Sequence, residues 1–273
     1  MPISPYESRY RVRGFDCGYG GPFRPLALAN FFQEAAGDHA SALGIGMEAM
    51  FANRRTWMLS RLDIEVSALP AAGQDVVVRT WPAGTSRLFA NRYLQMEDDS
   101  GRVLAGALYQ YLIVDLDSRR PVRPERILDP GLVCDLPPPF PDLSCGLDAI
   151  DGFSLAELAA MPQRISVTAS RSHIDHNGHV NNAYLLDWLC EAGAAGTEAS
   201  PAWAGAPPDD GTRTQPALAR LKLDFVAEAR RGDSIRGLSL ETEDPWMGRG
   251  TRTALFRGGD LLARAWVRWA TSC

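Results

Sequence analysis

One pattern, used twice, constrains this chain more than anything else: a stretch with apolar residues at helical spacing, followed by stretches that alternate with a period of two. In residues 22–44, Leu28, Phe31, Phe32, Ala35 and Ala36 recur every three or four positions, and Pro25 stands where a first helical turn tolerates proline. One helix is predicted there. From Trp57 the period falls to two, with Leu62, Ile64 and Val66 alternating with polar neighbours, and strands follow at 74–81, 87–96 and 102–116. Asp98 to Gly101 reads as a hairpin turn between the last two. The order then returns: a strand at Ile165, Val167 and Ala169, a polar loop, a helix over 182–195, and strands at 217–229, 233–241, 252–256 and 261–270, the last pair joined by an Arg257 to Asp260 hairpin. Between the copies, residues 119–161 carry PVRPERILDP and LPPPFP. Proline at that density is excluded from central strands and helix interiors, so this stretch is read as a crossover packed on the outside.

The repeat reaches individual residues. Arg61 to Val76 lies over Arg220 to Ile235 without a gap, and Phe31 to Ala36 lies over Trp188 to Gly193 with a slip of two residues in the intervening loop. The expected architecture is α+β: two tandem units, each a long helix with an antiparallel sheet. Their boundaries are set at residues 1–128 and 161–273, with 129–160 as the linker.

Composition narrows the function. With 273 residues, 45% hydrophobic and 22% charged, the chain is long enough for two modest cores. No apolar run approaches the ~20 residues of a membrane helix, the start MPISPYESRYRVRG has no apolar signal core, and a cytoplasmic location is expected. The five cysteines are scattered and form no CxxC pair, which argues for reduced thiols rather than a disulfide framework or zinc knuckle. A net charge of -5 argues against nucleic acid as a partner. Lys222 is the only lysine, so local positive patches are arginine: Arg119, Arg120, Arg123 and Arg126 form the densest cluster, and Arg230 with Arg231 the second.

Chemistry concentrates in residues 171–191, RSHIDHNGHVNNAYLLDWLCE, which hold three of the four histidines and run straight into the second predicted helix. Asn181 and Asn182 are good cap residues, and the helix N-terminus behind them favours a developing negative charge, which suits polarisation of a carbonyl. The asymmetry of the repeat is informative. With Asp16 set against Asp175, Gly18 and Gly20 stand in for Asn177 and His179, and Leu69 stands in for Glu228. The second copy therefore carries polar groups that the first lacks. Glu228 lies on the polar side of its strand, and a sheet wrapping the helix would bring it to the Asp175 loop.

Asp175-x-Asn177-x-His179-Val180-Asn181-Asn182, with Phe225-Val226-Ala227-Glu228 ahead of Gly-Asp-Ser, resembles the acyl-acyl carrier protein thioesterases, the plant plastid enzymes and their bacterial relatives. In the first half, Trp57 to Leu62, Thr80-Trp81-Pro82, Asn91-Arg92, Val114-Asp115 and Arg119 to Val122 are similar to that family's N-terminal domain. The resemblance covers nearly the whole chain. It implies two hotdog units and hydrolysis of a fatty acyl thioester in the second, with no cofactor or metal. The implied catalytic set is Asp175, Asn177, His179 and Glu228. The plant enzymes place a cysteine beside the glutamate; here that position is Ala229, so nucleophilic catalysis by such a cysteine is excluded, and Cys190 is read as core.

Thioester hydrolysis needs an activated water, an acceptor for its proton and donors to the carbonyl oxygen. Glu228 or Asp175 is assigned as base, His179 as its hydrogen-bonded partner, and Asn177 with helix N–H groups as polarising donors; direct attack by Asp175 stays open. Asn181 and Asn182 are expected to face the substrate. Chain-length selection is expected in the first unit, with Phe31, Phe32, Trp57 and Met58 as candidate floor residues. The expected partner is an acyl carrier protein docking on arginine, and a homodimer is allowed for. Three other readings remain: a metal cluster of His173, His176 and His179 with Asp175, a non-hydrolytic acyl-binding protein, and an acyl-CoA thioesterase.

Overall fold

The computed structural model describes residues 3–18, 21–143, 154–195, 217–244 and 248–270. The chain divides into two compact units, residues 1–12 with 30–147 and residues 13–29 with 148–273. The loop and first turn ahead of Asn30 thus cluster with the second unit.

In the first unit, five strands pair antiparallel in the order β1 (Tyr6–Arg11), β3 (Asp75–Ser86), β4 (Phe89–Asp98), β5 (Val103–Asp115), β2 (Arg55–Val66), and the short β6 (Arg120–Val122) pairs with β5. The helix α1 (Pro25–Ala42) covers one face, where Phe32, fully buried, sets its ring edge-on to Tyr109 of β5. The opposite face is covered by the proline-bearing crossover. Trp81, Tyr93 and Leu108 pack there against Cys134 and Leu143, with Phe140 alongside, and the Tyr93 hydroxyl donates to the Leu143 carbonyl at 3.0 Å. Proline keeps this segment out of the ladder while its apolar neighbours still find a sheet face to cover.

Five short elements escape the hydrophobic pattern: 3₁₀ turns at Gly14–Asp16, Pro124–Arg126 and Arg171–His173, the helix α2 (Met47–Ala52), and α3 (Leu155–Ala159). The last carries a legible start signal, Ser154 and Glu157 in a reciprocal capping box. Runs of five or six residues show too little periodicity to register by spacing alone.

The second unit repeats the order as β7 (Gln163–Thr168), α4 (Asn182–Ala194), β8 (Leu218–Phe225), β9 (Ser234–Asp244), β10 (Gly248–Arg257) and β11 (Asp260–Trp269), with its sheet running β8-β11-β10-β9-β7. Leu185, Leu186, Trp188, Leu189 and Cys190 are buried in α4, whose neighbours are β7, β9, β10 and β11. The Cys190 thiol is pushed well above its ordinary pKa by burial, then by the Asp187 charge, as befits a core residue.

The structure corrects the register of the repeat through the polar loop. Gly18 N–H donates to Pro22 at 2.7 Å as Asp175 N–H donates to His179 at 2.8 Å, and the isolated bridge Cys17–Phe23 matches Ile174–Val180. The true counterparts of Asp175 and His179 are therefore Gly18 and Pro22; Asp16 corresponds to His173. After the helix the sequence register holds, since Ser67 and Ala68 both donate to Leu104 as Val226 and Ala227 both donate to Leu262. Leu69 remains the counterpart of Glu228. The two-residue slip falls after the helix starts, where a loop absorbs it without disturbing either ladder. Asymmetry of the two copies survives the correction, because glycine, proline and leucine offer none of the chemistry of aspartate, histidine and glutamate.

Candidate active site

The polar loop is shaped by its own aspartate. Asp175 Oδ1 accepts the backbone N–H of Asn177 at 2.8 Å and that of His179 at 3.3 Å, while Gly178, at φ +82°, turns the chain back. The Asp175 N–H then closes onto the His179 carbonyl at 2.8 Å. This local network aims the His179 imidazole. Its Nε2 lies 3.0 Å from Oε2 of Glu228, far along the chain. A carboxylate only accepts, so this edge of the ring carries the proton.

Glu228 is held by its backbone. It follows the end of β8; its carbonyl accepts from Arg257 Nη1 at 3.3 Å, and the next carbonyl, Ala229, accepts the Val180 N–H at 2.8 Å. The same Arg257 Nη1 pairs with Asp233 at 3.0 Å; desolvation pushes the Asp233 carboxyl up, but the Arg230 backbone N–H and then Arg257 outweigh it and hold the group below the usual carboxylate range. Arg257 is a supporting residue the sequence reading missed, since it was legible only as the first residue of a hairpin turn.

Asn181 caps α4, its side-chain oxygen accepting from Ala183 N–H at 2.9 Å, and Asn182 opens the helix. The positive end of the helix dipole therefore lies two residues beyond His179. Asn177 is exposed. His173 Nδ1 accepts from Ser170 N–H at 3.0 Å, and its ring packs against Tyr184 and Trp188; burial lowers its pKa. His173 and His179 thus face different partners, and among the described residues no group of three ligand-type side chains converges on a point. His173 with its two aromatics is a second feature the spacing did not reveal.

The candidate floor residues of the first unit part company. Phe32 and Trp57 turn inward, the latter donating its indole N–H to the Ile45 carbonyl at 2.8 Å and meeting Tyr111 edge-on. Phe31 stacks on Tyr10 with ring centroids 4.6 Å apart, and Met58 is 39% exposed. The arginines named from the sequence, Arg119, Arg120, Arg123, Arg126, Arg230 and Arg231, are all exposed.

Two repeated α+β units, one of them carrying a histidine–glutamate pair at a helix N-terminus, define a protein of the double-hotdog class. Residues 4–129 match the family model described as the acyl-ACP thioesterase N-terminal domain. The chain is 25% identical over 197 residues to the chloroplastic oleoyl-acyl carrier protein thioesterase of Coriandrum sativum, a match covering 68% of this chain and 53% of that one. With oleoyl-acyl carrier protein thioesterase 1 of Arabidopsis thaliana it shares 24% over 263 residues, 93% of this chain and 68% of the relative. The chain thus spans about half the length of the first relative and two thirds of the second. Among solved structures, an acyl-ACP thioesterase from Bacteroides thetaiotaomicron superposes with a TM-score of 0.76 at 23% identity, over 97% of this chain and 98% of that one. The 12:0-ACP thioesterase of Umbellularia californica does so at 0.71 and 18%, over the whole of both chains. Over residues 4–129 the chain matches that family's N-terminal domain, and it is similar to the acyl-ACP thioesterases at about one residue in four.

Proposed function

We propose that this protein hydrolyses the thioester of fatty acyl-acyl carrier protein, releasing the free fatty acid and so ending chain elongation in fatty acid synthesis. The observation that carries the reading is the His179–Glu228 contact of 3.0 Å beside the N-terminus of α4, on the unit whose counterpart has proline and leucine at those positions. Glu228 takes the proton of a water as it attacks the thioester carbon, and His179 holds the carboxylate in place. The Asn177 amide and the start of α4 stabilise the oxyanion. Collapse of the tetrahedral intermediate expels a thiolate, which leaves without an acid because its conjugate thiol has a pKa of only about 8.5. Asp175 is assigned to the loop rather than to direct attack, since its Oδ1 is already engaged by two backbone N–H groups.

The carrier docks on exposed arginine. The Arg230–Arg231 pair stands two residues past Glu228, while Arg119, Arg120, Arg123 and Arg126 lie on the first unit. Among the first-unit candidates, Phe32 and Trp57 line the acyl tail; Asn181 and Asn182 border the thioester. The enzyme works in the cytoplasm, consistent with buried cysteines outside any disulfide at positions 17, 134 and 190 and with no described helix long and apolar enough to cross a membrane. Steady-state turnover of matched acyl-acyl carrier protein and acyl-CoA substrates tests the reading. A higher kcat/KM on the carrier-bound form is expected; preference for acyl-CoA would make it an acyl-CoA thioesterase, and no turnover of either would leave an acyl-binding protein.

A further inference from the structure

The two copies build one turn with different chemistry. In the first, over Gly14–Asp16, the Asp16 N–H donates to the Arg13 carbonyl at 3.0 Å and Asp16 Oδ2 accepts the Arg13 N–H at 2.8 Å. In the second, over Arg171–His173, the His173 N–H donates to the Ser170 carbonyl at 3.1 Å and His173 Nδ1 accepts the Ser170 N–H at 3.0 Å. The carbonyls match as well: that of Asp16 accepts the Arg24 N–H and that of His173 the Asn181 N–H, both at 2.9 Å. Aspartate therefore meets every backbone demand of this turn. Histidine, in the copy that carries Asp175, His179 and Glu228, adds a ring and a titratable acceptor.

The ring ties the loop to its helix. Its centroid lies 4.8 Å from that of Tyr184 and 5.1 Å from that of Trp188, both on α4. His173 and Asn181 bracket residues 174–180, and the bond between them, with the Ile174–Val180 bridge, closes the neck of the loop that holds His179. Asn181 is also the cap of α4. One side chain thus joins the turn, the neck and the helix whose placement sets where His179 meets Glu228. The acceptor exists in one protonation state only. With Nδ1 taking a backbone N–H, the neutral ring carries its proton on Nε2, whereas the imidazolium has N–H groups on both sides and sets donor against donor at Ser170. A carboxyl oxygen, as at Asp16, accepts in either state. Burial lowers the His173 pKa, and the positive end of α4 also disfavours the imidazolium. The titratable group facing the ring from α4 is the Tyr184 phenol; its own turn presents the Ser170 hydroxyl, 3.4 Å from Nδ1, and the Arg171 charge, while Asp175 is turned onto the Asn177 and His179 N–H groups.

We propose that His173 is a positioning residue for the hydrolysis: its neutral Nδ1 latches the turn that carries the His179 loop, and the loop loosens when the ring gains a proton. The consequence for turnover rests on the thioesterase reading; the latch itself does not. His173 touches no reacting atom in this scheme. It acts through the neck of the loop and makes the alignment of His179 with Glu228 depend on pH.

Two variants of the full chain separate the ring from the acceptor. His173→Asn keeps an oxygen acceptor that does not titrate, and His173→Phe keeps a ring and removes the acceptor. At about pH 8, His173→Asn is expected to hold kcat within about threefold of wild type, while His173→Phe lowers it ~10-fold or more with KM within about twofold. As pH falls toward about 5, wild type should lose kcat more steeply than His173→Asn. A second readout is independent of hydrolysis. By nuclear magnetic resonance, the Ser170 amide in wild type should shift with the same midpoint as the His173 ring protons, in His173→Asn it should stay in place, and in Glu228→Gln the shift should persist. A Ser170 amide indifferent to the His173 titration overturns the proposal; so does a His173→Asn variant with the wild-type acid limb, or a folded His173→Phe variant with wild-type kcat. If His173→Phe does not fold, the amide shift and the His173→Asn profile still decide. A chain that hydrolyses no thioester yet couples the Ser170 amide to His173 keeps the latch and loses the thioesterase reading.

Discussion

Asp175 and Glu228 are both acidic, yet their surroundings differ, and the proposed function gives them different work. Glu228 touches the imidazole, and Glu228→Gln is expected to lower kcat by ~10²-fold or more without changing the far-ultraviolet spectrum or melting temperature. Asp175 instead holds two backbone N–H groups through one oxygen. Asparagine can supply that same oxygen, so Asp175→Asn should retain most of the activity while Asp175→Ala loses it with the loop. Equal loss in both variants would return Asp175 to the chemistry. The buried imidazole of His39 carries a pH prediction. Burial, then the Arg92 charge, lowers its pKa from 6.5 to about 4. The unfolded chain therefore takes up a proton that the folded chain refuses, and stability falls as pH drops from 6.5 toward 4, by up to about 3 kcal/mol. His39→Gln keeps an acceptor for Arg92 and does not titrate. Urea unfolding across that range should lose this slope in the variant, and an unchanged slope would place the acid lability elsewhere.

Elements meet through groups that neither element shows alone. Asp187 projects from α4 and accepts the backbone N–H of Leu26, in the first turn of α1. Burial, with the Glu191 charge adding and the Leu26 N–H and Arg24 opposing, pushes its pKa from 3.8 up to about 6. Here the folded state holds the proton more tightly than the unfolded one, so the penalty grows as pH rises from 3.8 to 6 and is complete above it. Asp187→Asn should raise the melting temperature at pH 8, by a stabilisation of at most about 3 kcal/mol after solvent screening, and should be neutral near pH 4. A variant no more stable at pH 8 would show that the Leu26 contact outweighs the burial. The crossover offers a second test. At Gly106 of β5 a Cβ would stand 2.6 Å from Pro139 and 2.8 Å from the Phe140 ring. Gly106→Ala should cost about 1–3 kcal/mol in chemical denaturation, because the crossover must lift off the sheet to admit a methyl group.

For the whole molecule the expectation concerns its partner. At a net charge of -5, attraction of the acidic carrier of the proposed function has to be local, and Arg230 and Arg231 are the exposed pair two and three residues past Glu228. Reversing both to glutamate should raise KM for acyl-acyl carrier protein ~10-fold or more, leave kcat within about twofold and spare acyl-CoA. An equal effect on both substrates would remove these residues from carrier recognition and move attention to Arg119, Arg120, Arg123 and Arg126. The duplicated plan itself was open to reading, because helix and strand periods are properties of neighbouring residues. So were the hairpins at Asp98–Gly101 and Arg257–Asp260, the cap at Asn181 and the loss of polar groups from one copy. Such signals act within a few positions, where backbone geometry alone decides what a side chain can reach.

Contacts between distant segments depend on how strands twist and stagger, and spacing does not encode that. Resemblance could name Glu228, but only the fold sets it 3.0 Å from His179 and steadies it through Arg257. The two-residue slip that makes Gly18 and Pro22 the counterparts of Asp175 and His179 emerged from hydrogen bonds, since a loop hides its register from an ungapped comparison. Arg92, His39 and Tyr109 looked like ordinary members of a helix and two strands. Their meeting is a tertiary fact: burial removes the water that would otherwise satisfy each of them, and only then does it matter that no carboxylate among the described residues pairs with Arg92.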